Sequence, residues 1–259
     1  MSGPSLLRCE NLCIDIGGRR LIDNLNLDIR HGQRWAVLGM NGAGKTTLLH
    51  TLAGLLPTQQ GHIYIQDQAL EEMPRRAIAL KLGLLFQDQQ ELFPGTVMET
   101  VLTGRHPHLK AWQWESAEDR NQARQLLARV DLAGYEPRQV TSLSGGERRR
   151  LGLATVLLQA PDLLLLDEPV NHLDLHHQQK MMQLLATTVE QKNASLLMVM
   201  HDLNLSAHYC DHVLMIFADG KTRQGCTREL LQEEILSELY QHQIRRLNHK
   251  GRTFFISDA

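Results

Sequence analysis

The 259-residue sequence is poor in the features that mark specialised proteins. It has no excess of either charge: 27 Lys and Arg stand against 29 Asp and Glu, for a formal net charge of −2. A dedicated nucleic-acid binder would carry a basic surplus, so that class is excluded. Cysteine is scarce. The four residues Cys9, Cys13, Cys210 and Cys226 form no C-x-x-C pair of the zinc or thioredoxin kind, and a chain of this length is no small disulfide scaffold. A reducing cytoplasm is the expected home. No uninterrupted apolar run approaches the roughly 18–20 residues that cross a bilayer, and no basic run followed by an apolar stretch opens the chain. Any membrane role is therefore expected to run through a partner. Internal repeats and low-complexity linkers are also lacking. What remains, 42% hydrophobic and 22% charged, is the composition of a folded globular chain with 13 histidines, whose charge turns positive on mild acidification.

The patterning predicts an α/β protein. Residues 6–29 alternate as two strands about Gly17-Gly18, and residues 35–38 form a short buried strand running through a glycine-rich turn into a helix over 45–55. Strand character returns at 61–65 and 82–86. From 97 to 158 the pattern is helical, an apparent insertion, before strands at 163–166 and 195–200 with a helix over 175–191 between them. Strands separated by helices imply a parallel sheet with right-handed crossovers. The end of the chain reads as a helix over 229–241 and one short strand over 251–256.

Three motifs carry chemistry. Gly39-Met40-Asn41-Gly42-Ala43-Gly44-Lys45-Thr46 fits G-x-x-x-x-G-K-[ST] between a predicted strand and a predicted helix. Its glycines let backbone amides turn inward around phosphate oxygens, Lys45 brings positive charge to the β- and γ-phosphates, and Thr46 offers a hydroxyl to Mg2+. Leu163 to Leu166 form a buried strand that delivers Asp167 and Glu168 at its end, where Asp167 is placed to hold Mg2+ and Glu168 to polarise an attacking water. The plainer alternative is that both simply close a strand. Leu143-Ser144-Gly145-Gly146-Glu147 precedes a helix and offers a second anion site.

With these residues the sequence resembles the ATP-binding-cassette (ABC) family, over about residues 6–225. Its signature is the pentapeptide 143–147, and Asn171-His172-Leu173-Asp174, Gln87 and His201 match its loop after the catalytic carboxylate, its glutamine lid and its switch histidine. The resemblance implies a P-loop NTPase (RecA-like) mixed sheet with an N-terminal antiparallel β subdomain. One ABC ATPase domain would span 1–259, with its core over about 5–87 and 159–225, an inserted helical subdomain over about 88–158 and an appendage over 226–259. It implies ATP hydrolysis with Glu168 as base, His201 at the γ-phosphate, and Gln87 and Lys45 as further catalytic groups. Nucleotide contacts fall to Gly39, Asn41, Gly42, Ala43, Gly44, Lys45, Thr46, Thr47 and Ile16, with Ser144, Gly145, Gly146, Glu147 and Asp174 from the second half of the site. Mg2+ would sit among Thr46, Gln87 and Asp167. The family's working unit is a head-to-tail homodimer with two ATP, each held between the phosphate loop of one chain and the signature of the other.

One departure stands out. Ile16 falls where the family stacks an aromatic ring on adenine, and Arg19 or Arg20 could supply a flat surface instead. Trp35, Met181 and Met182 read as core. Arg148-Arg149-Arg150 reads as a solvated helix start, and the spacings His172/His176/His177 and His208/His212 are compatible with zinc but lack further ligands. Absent membrane helices, coiled coils or a second cassette, a separate subunit is expected. Gly104-Arg105-His106-Pro107-His108, Leu173 to Gln178 and His201 to Leu205 resemble the subclass that powers iron–siderophore, haem or cobalamin import, through a membrane permease and, indirectly, a substrate-binding protein, at the cytoplasmic face of the inner membrane. The alternative is a soluble cassette ATPase serving a scaffold, as in iron–sulfur cluster assembly.

Overall fold

The computed structural model of the chain describes residues 4–87 and 95–258. Two long strands, β1 (Ser5–Ile16) and β2 (Arg19–Arg30), turn about Gly17 and Gly18, both at positive φ (58° and 79°). Left-handed conformation at both central residues matches the twist of a tight hairpin, which glycine adopts without cost. β3 (Arg34–Leu38) leads through the glycine-rich loop into α1 (Lys45–Leu52). This helix ends three residues before the expected 55: Gly54 takes φ 69° and the Leu55 amide donates back to His50 O at 2.9 Å, closing the last turn. β4 (Gln60–Ile65) and β5 (Gln68–Ala69) join the hairpin in an antiparallel sheet of order β2-β1-β4-β5.

After α2 (Arg75–Lys81) and β6 (Leu82–Leu85) the described chain is helical up to residue 159, with α3 (Val97–Leu102), α4 (Ala117–Arg129) and α5 (Gly145–Gln159). The expected start of the helical insertion, residues 88–94, lies outside the described residues. Each of the three helices opens on a capping box: Thr96 with Glu99, Ser116 with Asp119, and Ser144 with Glu147. There follow β7 (Leu163–Asp167), α6 (Leu175–Lys192), β8 (Ser195–Val199), α7 (Leu203–Tyr209), β9 (His212–Ile216) and β10 (Thr222–Cys226).

The second sheet has order β10-β9-β3-β8-β7-β6. Its strands β9, β3, β8, β7 and β6 are mutually parallel, and only β10 runs antiparallel. Covered on both faces, β7 and β8 are buried at every residue. Alternate side chains enter different cores. Leu38, Leu164, Leu166 and Met198 join the helical face with Met181 and Met182, whereas Trp35, Val37, Leu165 and Val199 join the face shared with the antiparallel sheet and α1.

The chain ends with α8 (Thr227–Leu230), α9 (Glu233–Tyr240) and a hairpin of β11 (Ile244–His249) with β12 (Arg252–Ser257). The single helix expected over 229–241 is thus two, divided at buried Leu231. The unforeseen β11 buries only Ile244 fully, and its polar sequence hid it. A turn at Lys250-Gly251, with φ 49° and 75°, fixes the hairpin. Among the described residues, no helix is long and apolar enough to cross a membrane.

Candidate active site

The parallel strands end together at one edge of the sheet, where open α/β sheets bind ligands. β3 delivers the Gly39 to Lys45 loop, β6 delivers Gln87, β7 delivers Asp167 and Glu168, and β8 leads to His201. The loop tolerates no bulk at its start: Gly39 has φ 154° and a Cβ there would lie 2.5 Å from Ile216 O. Gly44 (φ 97°) begins α1 without a side-chain cap, so the first amides of the helix stay available to an anion.

Ile16, Asn41, Gly42, Gly44, Lys45, Thr46 and Thr47 line one groove of about 680 Å3 with Gln87, Glu168 and His201. Gly39 and Ala43 build the loop without lining that groove. Lys45 is 6% exposed, and its Nζ donates to Gly39 O (2.8 Å) and Met40 O (3.0 Å). Burial lowers its pKa, while Glu168 and Asp167 act in the opposite sense. Asp167 is fully buried, which raises its pKa; the Thr46 hydroxyl faces it and acts against the rise.

Glu168 departs from regular backbone, at φ 51°, a conformation rare for a side chain of this size. The bend turns its carboxylate between two donors. His201 Nε2 lies 2.5 Å from Oε1, and Asn171 Nδ2 donates to Oε2.

Ser144, Gly146, Glu147 and Asp174 do not line the groove of Lys45. The Ser144 hydroxyl accepts from Glu147 N at 3.3 Å, and Glu147 Oε2 accepts from Ser144 N at 2.7 Å. Gly145 borders a smaller neighbouring groove of about 170 Å3 that shares Gln87 and Glu168. Asp174 caps α6 through His177 N (2.8 Å), and its other oxygen meets His177 Nδ1 at 2.8 Å.

The arginine run corrects the expectation of a solvated helix start. Arg149 and Arg150 are 7% and 8% exposed. Arg150 donates to Val130 O (2.8 Å) and Asp131 O (3.1 Å). Arg149 donates to the carbonyls of Phe86, Gln87, Asp167 and Glu168, so one guanidinium ties α5 to the ends of β6 and β7. Sequence reasoning missed it because a charged run ordinarily faces water; only its position one turn into α5 hinted at an inward face. Arg20, expected as a flat surface beside Ile16, is instead held by Asp15 (2.6 Å) and Asp23 (2.7 Å), and Arg19 reaches Ala218 O. Leu21 shares the groove wall with Ile16.

Comparison with known proteins agrees with this geometry. Residues 22–171 match the ABC transporter family. The hemin import ATP-binding protein of Escherichia coli O157:H7 is 34% identical, over 91% of this chain and 92% of that one. The iron(3+)-hydroxamate import ATP-binding protein of Bacillus subtilis (strain 168) is 33% identical, over 91% and 87%. Among solved structures, an inward-facing transporter described as of the metal-chelate type superposes with TM-score 0.84 at 28% identity, covering 98% of each chain. The chain belongs to the ABC transporter family.

Proposed function

We propose that this chain is the ATP-hydrolysing subunit of an importer of metal chelates, iron–siderophore complexes or haem, and that it works as a head-to-tail pair beneath a separate membrane permease at the cytoplasmic face of the inner membrane. The observation that carries the reading is the division of the site. Lys45, Gln87, Glu168 and His201 share one groove, and Ser144, at the start of the signature helix, lines none of it. A second copy is the simplest source of the missing half.

In this reading the loop amides and Lys45 bind the phosphates, with Nζ exchanging the Gly39 and Met40 carbonyls for phosphate oxygens. Glu168 takes the proton of the attacking water at Oε1, and His201 orients that carboxylate in the ground state and turns to the γ-phosphate when nucleotide is bound. Ser144 and the amides of Gly145 and Gly146, from the other copy, close over the γ-phosphate. Ile16 and Leu21 supply apolar contact to the base.

The buried oxygens of Asp167, which accept no hydrogen bond of good geometry, together with the Thr46 hydroxyl and Gln87, form a hard oxygen set that fits Mg2+. An ion held by these residues would supply positive charge to offset that of the phosphates.

The helical segment from α3 to α5, with the Gly104 to His108 turn, is the surface proposed for the permease, and relatives that serve hemin and iron(3+)-hydroxamate import favour a metal chelate as cargo. The test is Ser144→Arg, measured as nucleotide binding, dimerisation and phosphate release. Binding by the single chain should persist while ATP-dependent dimerisation and turnover are lost; dimers that survive the change would overturn the shared site.

A further inference from the structure

Behind the switch histidine, the C-terminal hairpin and α6, α7 and α8 enclose a groove of about 750 Å3 that nothing in the hydrolytic cycle uses. Three arginines line it, Arg228, Arg246 and Arg252, and none has a carboxylate partner for its guanidinium among the described residues; that of Arg246 donates to Gln232 Oε1 (3.2 Å) and Thr253 Oγ1 (3.4 Å). Their neighbours on β10 and β11 behave differently: Arg223 is paired with Glu238 and Arg245 with Asp258. The lining also holds one carboxylate, Asp202, whose Oδ1 caps α7, accepting from Asn204 N (2.7 Å) and Leu205 N (2.9 Å). Two further polar atoms at the groove are buried without a hydrogen-bond partner, Arg246 Nε and the hydroxyl of Thr227, a residue only 5% exposed. A buried hydroxyl and a buried guanidinium nitrogen left unsatisfied are costly unless a ligand completes them. The lining also has apolar members, Leu175 (72% exposed), Phe254 (38% exposed) and buried Phe255.

We infer that this groove binds a small organic anion with an apolar body, and that occupancy acts on His201 through α7. The anionic group meets the guanidiniums of Arg228 and Arg252, and the body lies on Phe254 and Leu175. The coupling has a defined route. Asn204, one turn after His201, clamps the hairpin at two points, donating from Nδ2 to Phe255 O (3.2 Å) and accepting at Oδ1 from Phe255 N (2.7 Å). A ligand that pulls the hairpin toward α8 therefore pulls on the first turn of α7 and on the histidine that precedes it. The coupling rests on the hydrolytic role of His201; the binding does not.

The test uses 8-anilinonaphthalene-1-sulfonate as probe on the full chain, followed by its fluorescence. One saturable site is expected, weakened about tenfold or more in Arg228→Gln/Arg252→Gln, which replaces two exposed residues. Saturating ATP in a Glu168→Gln background should leave the probe bound. At probe saturation the rate of phosphate release should change in the wild type and not in Asn204→Ala, which still binds it. Equal affinity in the arginine variant, or displacement by ATP, would overturn the site, and an unchanged rate would overturn the coupling. Arginine-dependent sedimentation with phosphatidylglycerol vesicles in place of probe binding would assign the groove to a membrane surface and overturn the small anion.

Discussion

His201 Nε2 and Glu168 Oε1 lie 2.5 Å apart, joining the ends of β8 and β7 across the mouth of the phosphate groove. The contact orients the carboxylate that the proposed mechanism uses as base. Glu168→Gln keeps the shape and the hydrogen bond from Asn171 but cannot accept the water proton. Phosphate release should fall about 100-fold or more while ATP binding is retained, giving a long-lived ATP-bound dimer by size-exclusion chromatography. Turnover within a few-fold of the parent would remove Glu168 from the role of base.

Arg149 should matter for stability and for catalysis. Its replacement by alanine strips a donor from carbonyls at the ends of β6 and β7, and buried acceptors left without partners cost about 1–3 kcal/mol each. Urea unfolding should show a loss of about 3 kcal/mol or more for Arg149→Ala. Arg149→Lys should regain part of the stability, yet still show a lowered kcat with little change in KM, since one ammonium cannot hold both strand ends.

Ile16 is half exposed at the rim of the groove. Ile16→Phe supplies a ring to stack on the base, a contribution of about 0.5–1.5 kcal/mol beyond area. Nucleotide titration should show ATP binding about 2- to 10-fold tighter, with preference for adenine over pyrimidine nucleotides increased.

Acid should loosen the helical segment through Asp119. The Ser116 hydroxyl and amide, and then Arg105 at 2.7 Å, hold its carboxyl below the usual range. A group whose folded pKa is depressed stabilises the fold fully above its unfolded value, near 3.9, and loses that contribution as the pH falls toward its folded value. Urea midpoints should therefore differ most between wild type and Asp119→Asn at neutral pH and converge below about pH 4. A gap that stays constant on acidification would exclude the linkage.

Much of the architecture was legible because it depends on local rules. The alternation of β1 and β2 about Gly17-Gly18, the apolar runs of β7 and β8, and Ser144 at the start of α5 all follow from spacing and turn chemistry. Where local rules are weak the expectation failed. β11 carries Arg245, Arg246 and Asn248 and is a strand because β12 pairs with it across a fixed turn. Arg149 is buried because four carbonyls converge on it, from strands far away in the sequence.

The sequence by itself determined the chemistry available at each position: a glycine loop ending in Lys45 and Thr46, paired carboxylates closing an apolar strand, a serine opening a helix. Only the tertiary structure decided which of these meet. The parallel register of β3, β6, β7 and β8 brings Lys45, Gln87, Glu168 and His201 to one groove and leaves Ser144 off it. The reason is geometric. Motif spacing fixes neighbours within a few residues, whereas strand order and crossover fix which distant loops share an edge, and no short stretch of sequence encodes that order.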